Sequence, residues 1–218
     1  MKDAIISRIE KEKIIAIVRG VGRDKLIPFC EAIVEGGIHL LEVAYPSDGS
    51  RNHQVAEEIR MLAERFGDAL FLGAGTVLTP EQVRLTKAAG GGFIISPNTD
   101  DSVITATVQA GMVSIPGALT PTEIARADQL GADFVKVFPA SVLGPAYIKA
   151  VRSPLSHIKL MAVGGINADN MADYMKCGVC GFGIGSDLTK KELLDAGNYA
   201  EITRLARRYV DAARGGGA

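Results

Sequence analysis

Eight short apolar runs recur about every 20 to 25 residues along the chain: Ile14–Val18, 39–44, 69–74, 92–96, 113–116, 133–138, 159–163 and 180–184. Each leads into a turn rich in Gly, Pro, Ser or Thr and then into a segment with helical spacing, as in 25–35 and Asn52–Phe66. Most runs lack polar alternation, as parallel strands do when helices cover one face and the other packs inward. Thr120-Pro-Thr-Glu123 and Thr79-Pro-Glu-Gln82 carry the signature of a capped helix start. Eight strand–helix units in series predict a compact (β/α)8 TIM barrel, because eight parallel strands close and leave no exposed edge. A doubly wound open sheet is the rival that the unit count disfavours. The expected layout is one α/β barrel domain over 1–214, with an extra helix at 1–13 across the barrel bottom. A last outer helix at 196–214 and a disordered tail at 215–218 complete it.

Composition narrows the function. Basic and acidic residues nearly cancel, 24 against 25, and no long like-charge run marks a nucleic-acid or membrane footprint. Tryptophan is absent and aromatics are 6%, which argues against base-stacking platforms. Charges interrupt the isoleucines of the N-terminus, so it does not read as a signal peptide, and no apolar run approaches the ~18 residues that span a bilayer. Three cysteines make no disulfide framework, and a reduced, cytoplasmic protein is expected. The lone Cys177-Gly-Val-Cys180 reads as two small buried residues at a helix-to-strand junction. His39, His53 and His157 are scattered, and no metal site, dinucleotide fingerprint or serine elbow is found, so no metal or cofactor is expected.

Barrels of this kind do their chemistry at the C-terminal ends of the strands. The polar residues there are Arg19, Glu42, Thr76, the 96–98 segment, Lys136, Gly164-Gly165 and Gly185-Ser186. Lys136 is the only charge in the middle of its apolar strand. Inside a barrel its pKa falls, and a partly neutral amine can add to a ketone and form a Schiff base. Pointing outward, it would be a packed stem with a wet head. Glu42 is equally alone in Leu-Leu-Glu-Val. Paired with an interior lysine it suits proton transfer, and the alternative is an ion pair that only fixes the core. The glycine turns after strands 7 and 8, expected to open the following helices, offer backbone N–H groups to a phosphate; turn geometry alone is the other reading.

Taken together these segments resemble the class I aldolases that cleave 2-keto-3-deoxy-6-phosphogluconate and 4-hydroxy-2-oxoglutarate, the KDPG/KHG aldolases. The likeness runs from about Ile14 to Ala212. Its carriers are Leu-Glu42-Val, Gly73-Ala-Gly-Thr-Val77, Ile95-Ser-Pro97, Pro116-Gly117 with Thr120-Pro-Thr-Glu123, Phe134-Val-Lys-Val-Phe-Pro139, Gly144-Pro-x-Tyr-Ile-Lys149 and the two glycine turns. The resemblance implies a metal-free homotrimer in which Lys136 forms the Schiff base with pyruvate or the 2-keto acid and Glu42 is the general acid/base. It implies that Thr76 and Pro97 line the pyruvate pocket with Phe138 packed against it, and that Gly164, Gly165, Gly185 and Ser186 hold the substrate phosphate. Many members carry an arginine in Glu-Val-Thr-Leu-Arg-Thr; here the stretch is Glu42-Val-Ala-Tyr-Pro-Ser47, and Arg19 is the expected replacement. Many also have Pro-Thr-Gly-Gly where this chain has Ala162-Val-Gly-Gly165. That segment, Arg19-Gly20, Pro97-Asn98 and Gly185-Ser-Asp-Leu188 are similar to the sister aldolases for the C4 epimer, 2-keto-3-deoxy-6-phosphogalactonate. A sugar-phosphate isomerase or epimerase using Glu42 without a covalent step is the more distant alternative.

Overall fold

The structure is a computed structural model that describes residues 1–215. Helix α1 (Lys2–Glu12) precedes β1 (Ile14–Val18), α2 (Arg23–Glu35), β2 (Leu40–Ala44), α3 (Asn52–Phe66), β3 (Phe71–Gly75), α4 (Pro80–Ala88), β4 (Phe93–Ile95) and α5 (Asp101–Gln109). Then come β5 (Val113–Ile115), β6 (Gly117–Ala118), α6 (Pro121–Gln129), β7 (Val135–Val137), α7 (Ala140–Arg152), β8 (Leu160–Val163), α8 (Met171–Lys176), β9 (Gly181–Ile184), α9 (Lys191–Asp195) and α10 (Tyr199–Ala213). All strand pairs are parallel, in the order β5-β4-β3-β2-β1-β9-β8-β7-β6.

The predicted run 113–116 becomes β5, and the chain continues past it into a further short strand, β6, so that the two ends of that order are consecutive in the sequence. Pro116 parts β5 from β6, since proline has no N–H for the ladder. β5 pairs with β4 and β6 pairs with β7. Across the break, Lys136 N donates to Pro116 O at 2.8 Å and Phe134 N to Ser114 O at 3.2 Å. The result is the expected α/β barrel of TIM type, nearly closed, with α1 ahead of β1. The third strand starts later than expected, at Phe71, because Gly67–Ala69 forms a 3-10 turn. The sixth run contracts to Val135–Val137. The last outer helix is Tyr199–Ala213, with the short α9 before it. Of the expected tail, residues 216–218 lie outside the described residues.

Strand periodicity sorts the core into two layers. Leu41, Val43, Val135 and Val137 face the helices and join the larger outer cluster. Ile15, Leu40, Phe93, Val113, Phe134 and Met161 fill the lower barrel, where Ile5 and Ile9 of α1 plug the N-terminal end. Two residues further along their strands, on the same inward face, come Glu42 after Leu40 and Lys136 after Phe134. Both capping boxes form: Thr79 and Thr120 accept from the backbone N–H of Gln82 and Glu123, whose side chains reach back. They fix where the chain leaves the barrel mouth. Among the described residues no helix is long and apolar enough to cross a membrane. Cys177 and Cys180 are half-buried, more exposed than expected: Cys177 follows the end of α8, and Cys180, just before β9 at the rim of the lower barrel cluster, donates its thiol to Leu160 O.

Candidate active site

Glu42 and Lys136 are both buried, 2% and 7% exposed, inside the barrel below its mouth. Burial pulls the Lys136 ammonium below the ordinary lysine value; Glu42 opposes that fall and Arg19 adds to it. Burial pushes the Glu42 carboxyl above the ordinary carboxylate value, against the fields of Lys136 and Arg19. The pair makes no direct salt bridge, and Glu42 Oε2 is buried without a hydrogen-bond partner. Such an orphaned acceptor is costly in a finished core and suits a group that must receive a proton from a ligand. Lys136 Nζ lies 4.6 Å from the centroid of the Phe138 ring.

Glycine makes the room. A Cβ at Gly75 would fall 1.4 Å from Glu42 Oε1, and one at Gly117 would fall 2.4 Å from the Pro97 carbonyl. The inward carboxyl therefore has room only because β3 ends in glycine: Gly73 is the register partner of Glu42, and Gly75, paired with Ala44, lies against the carboxyl end of the Glu42 side chain.

Arg19, ending β1, donates from Nη2 to Thr76 Oγ1 at 2.8 Å. Thr76 holds a left-handed backbone, φ 54, which a β-branched residue rarely adopts. Its hydroxyl is thus set by a tight turn straight after β3. The structure also explains why the Glu42 strand lacks a cation further on. Tyr45 turns outward and is buried, its hydroxyl 3.0 Å from Thr86 Oγ1. Arg51, the next arginine, is tied to Gln54 at 2.8 Å and Glu58 at 3.1 Å beside α3. Arg19 is left as the arginine whose field reaches Lys136 and Glu42.

The expected phosphate residues sit on the same rim. Gly164 and Gly165 have φ of 91° and 75°, conformations that demand glycine, and a Cβ at Gly164 would touch the Phe138 ring at 3.3 Å. The backbone N–H groups of Gly164, Gly165, Gly185 and Ser186 donate to no protein acceptor. One expectation is corrected: the glycines do not open helices directly. Asn167 Oδ1 accepts from the N–H groups of Asp169 and Asn170, forming a turn that separates Gly165 from α8. A turn at 186–189, whose Leu188 and Thr189 N–H groups donate to Gly185 O, likewise separates Gly185 from α9. Any anion here is therefore met by loop N–H groups. Sequence reasoning missed what holds the second loop: Tyr209 of α10 donates its hydroxyl to Asp187 Oδ2 at 2.6 Å, next to Ser186. The only local hint was a buried-type aromatic in the last helix.

Comparison with known proteins identifies the family. The family model described as "Aldolase: KDPG and KHG aldolase" matches residues 5–205. The 2-dehydro-3-deoxy-6-phosphogalactonate aldolase of Escherichia coli (strain K12) is 37% identical over 206 residues, 94% of this chain and 96% of that protein. The 2-dehydro-3-deoxy-phosphogluconate aldolase of Treponema pallidum is 33% identical over 210 residues, covering 94% and 96%. The structure of KDPG aldolase from Legionella pneumophila, with pyruvate captured as a covalent carbinolamine intermediate, superposes with a TM-score of 0.83 at 29% identity, covering 93% of this chain and 96% of that one.

Proposed function

The chain belongs to the KDPG and KHG aldolase family of carbon–carbon lyases, and from that premise we propose that it cleaves a 2-keto-3-deoxy-6-phospho sugar acid to pyruvate and glyceraldehyde 3-phosphate. The gluconate-type acid is the first reading, with 4-hydroxy-2-oxoglutarate, which yields pyruvate and glyoxylate, as a further substrate. The observation that carries it is the buried, depressed Lys136 amine facing the unpartnered Glu42 carboxyl inside the barrel. The neutral amine adds to C2 of the keto acid, and loss of water leaves a protonated imine. Glu42 takes the proton of the C4 hydroxyl and the C3–C4 bond breaks. The bonding electrons flow into the imine and give an enamine, and the aldehyde leaves. Glu42 returns the proton to C3, and hydrolysis frees pyruvate and Lys136. Arg19 and Thr76 hold the pyruvyl carboxylate. Pro97 and Phe138 wall the pocket. Gly164, Gly165, Gly185 and Ser186 receive the distal phosphate.

The galactonate epimer is the second reading. It is favoured by Ala162-Val-Gly-Gly165, Arg19-Gly20, Pro97-Asn98 and Gly185-Ser-Asp-Leu188, and by the 37% identity to the Escherichia coli enzyme named for that epimer. Pyruvate release from both phosphorylated epimers and from 4-hydroxy-2-oxoglutarate, read by coupling to lactate dehydrogenase, tests the proposal. Turnover of a phosphorylated epimer is expected, and the epimer with the larger kcat/KM decides between the readings. No pyruvate from any of the three overturns both. The chain is further proposed to act as one barrel domain, in the cytoplasm, as a homotrimer without metal or cofactor. Exposed Val142 and Leu143 at the start of α7 supply apolar surface for association. Light scattering is expected to give three times 23.0 kDa, and a monomer mass would refute the trimer.

A further inference from the structure

A cavity of about 300 Å³ opens between the β1–α2 and β9–α9 loops, and its lining includes Arg19, Gly22, Lys25, Thr189, Lys191 and Asp195. Its charges do not balance. Lys25 Nζ is 2.6 Å from Asp195 Oδ1, and Lys191 pairs with Oδ2 of the same carboxylate, so one acid serves two ammonium groups. Arg19 spends its contact on the neutral Thr76 hydroxyl. With Arg19 left to the substrate carboxylate, the lining still sets the two ammonium groups of Lys25 and Lys191 against the single acid Asp195, while Asp24, outside the lining, adds a negative field at Lys25. The 13-residue helix α2 begins here on Gly22, which has no side chain to cap the first-turn N–H groups.

The cavity shares a wall with the Gly185–Ser186 loop. Thr189, in its lining, donates from Oγ1 to Gly185 O at 3.0 Å. That loop offers backbone N–H groups and a serine hydroxyl, and its own cation, Lys190, is held by the acid Asp187 at 3.3 Å. A phosphate monoester near neutral pH carries close to two negative charges, which backbone donors alone do not neutralise.

Building on the aldolase reading, we propose that this cavity is a phosphate-selecting annex, in which Lys25 and Lys191 together discriminate phosphorylated from unphosphorylated 2-keto acids. Asp195 positions both ammonium groups, so the annex attracts a dianion through space while the glycine loop makes the hydrogen bonds.

The test compares wild type with Lys25→Met/Lys191→Met and, as a milder variant, Lys191→Met, whose side chain is 84% exposed and outside any core. Steady-state kcat/KM is measured on 2-keto-3-deoxy-6-phosphogluconate, its galactonate epimer and 4-hydroxy-2-oxoglutarate at low and high salt. Calorimetric titration with inorganic phosphate needs no turnover. The ratio of phosphorylated to unphosphorylated kcat/KM is expected to fall about tenfold in the double variant, with a smaller fall for Lys191→Met. Phosphate binding should weaken in step, and the salt sensitivity toward the phosphorylated acid should flatten. A ratio unchanged within about twofold overturns the proposal, even if both rates fall together, because Asp195 would then be only a structural clasp. Unweakened phosphate binding in the double variant also overturns it. A wild type that captures no pyruvate on Lys136 is a failure of the aldolase reading, separable from these outcomes.

Discussion

Replacing Gly75 by alanine isolates the placement of Glu42 from its chemistry. The added methyl would lie 1.4 Å from Glu42 Oε1, 2.1 Å from its carboxyl carbon and 2.5 Å from Cγ. Non-bonded carbon contacts settle near 3.5–4.0 Å, so the carboxyl must withdraw by about 1–2 Å. Gly75 lies in β3 outside the left-handed region, so alanine is tolerated there by the backbone itself. The perturbation therefore falls on the side chain of Glu42. Misplacing a reacting group by 1 Å costs about 10²-fold, and removing a general acid/base about 10²–10⁴-fold. A fall in kcat of about 10²–10³ is expected, close to that of Glu42→Gln measured in parallel. Pyruvate release gives kcat, and a thermal melt confirms that the variant is folded. A folded Gly75→Ala enzyme with kcat within about threefold of wild type would refute the reasoning, because Glu42 would then act from another position or not at all.

Folding costs follow from the same burial. Lys136, with its pKa lowered, destabilises the fold below that lowered value, and the cost vanishes as pH rises toward the ordinary lysine range. Glu42, with its pKa raised, destabilises the fold above the ordinary carboxylate value, and that cost vanishes in acid. Lys136→Met/Glu42→Gln should be inactive yet more stable by about 1–4 kcal/mol at neutral pH, with a smaller gain in acid and in alkali; a lower Tm at neutral pH contradicts this. Arg19→Ala should raise KM for the keto acid more than it lowers kcat, and unchanged kinetics with pyruvate would remove Arg19 from the carboxylate site. Tyr209→Phe leaves Asp187 without its buried donor; a loss of about 1–3 kcal/mol, seen as a drop in Tm, is expected together with a raised KM for the phosphorylated acid. An unaltered KM would show that the Ser186 loop does not depend on this anchor.

Lys136 and Glu42 were legible because strand periodicity is strict. In Asp133-Phe-Val-Lys-Val-Phe138 and His39-Leu-Leu-Glu-Val43, a single charge stands where the inward face demands an apolar residue. The barrel was legible for a related reason, since eight apolar runs, most without polar alternation, need cover on both faces. What escaped the sequence depends on contacts between distant segments or on local turn chemistry. The break at Pro116 sends β5 and β6 to different neighbours, a choice that only the closed ring imposes. Arg19 meets Thr76 across 57 positions, through the adjacency of β1, β2 and β3 and an unfavourable backbone at Thr76. Lys25 meets Asp195 across 170 positions, because the first and last strands are neighbours. The Asn167 turn after Gly165 was hidden by an expectation that glycine leads straight into a helix.

The central claim is that Lys136 is the covalent nucleophile of this barrel. Incubation with pyruvate and borohydride, followed by peptide mass mapping, tests it most directly. One reduced pyruvyl group per chain is expected, on Lys136, and none in the Lys136→Met variant. An unmodified chain, or an adduct on a different lysine, would contradict the account.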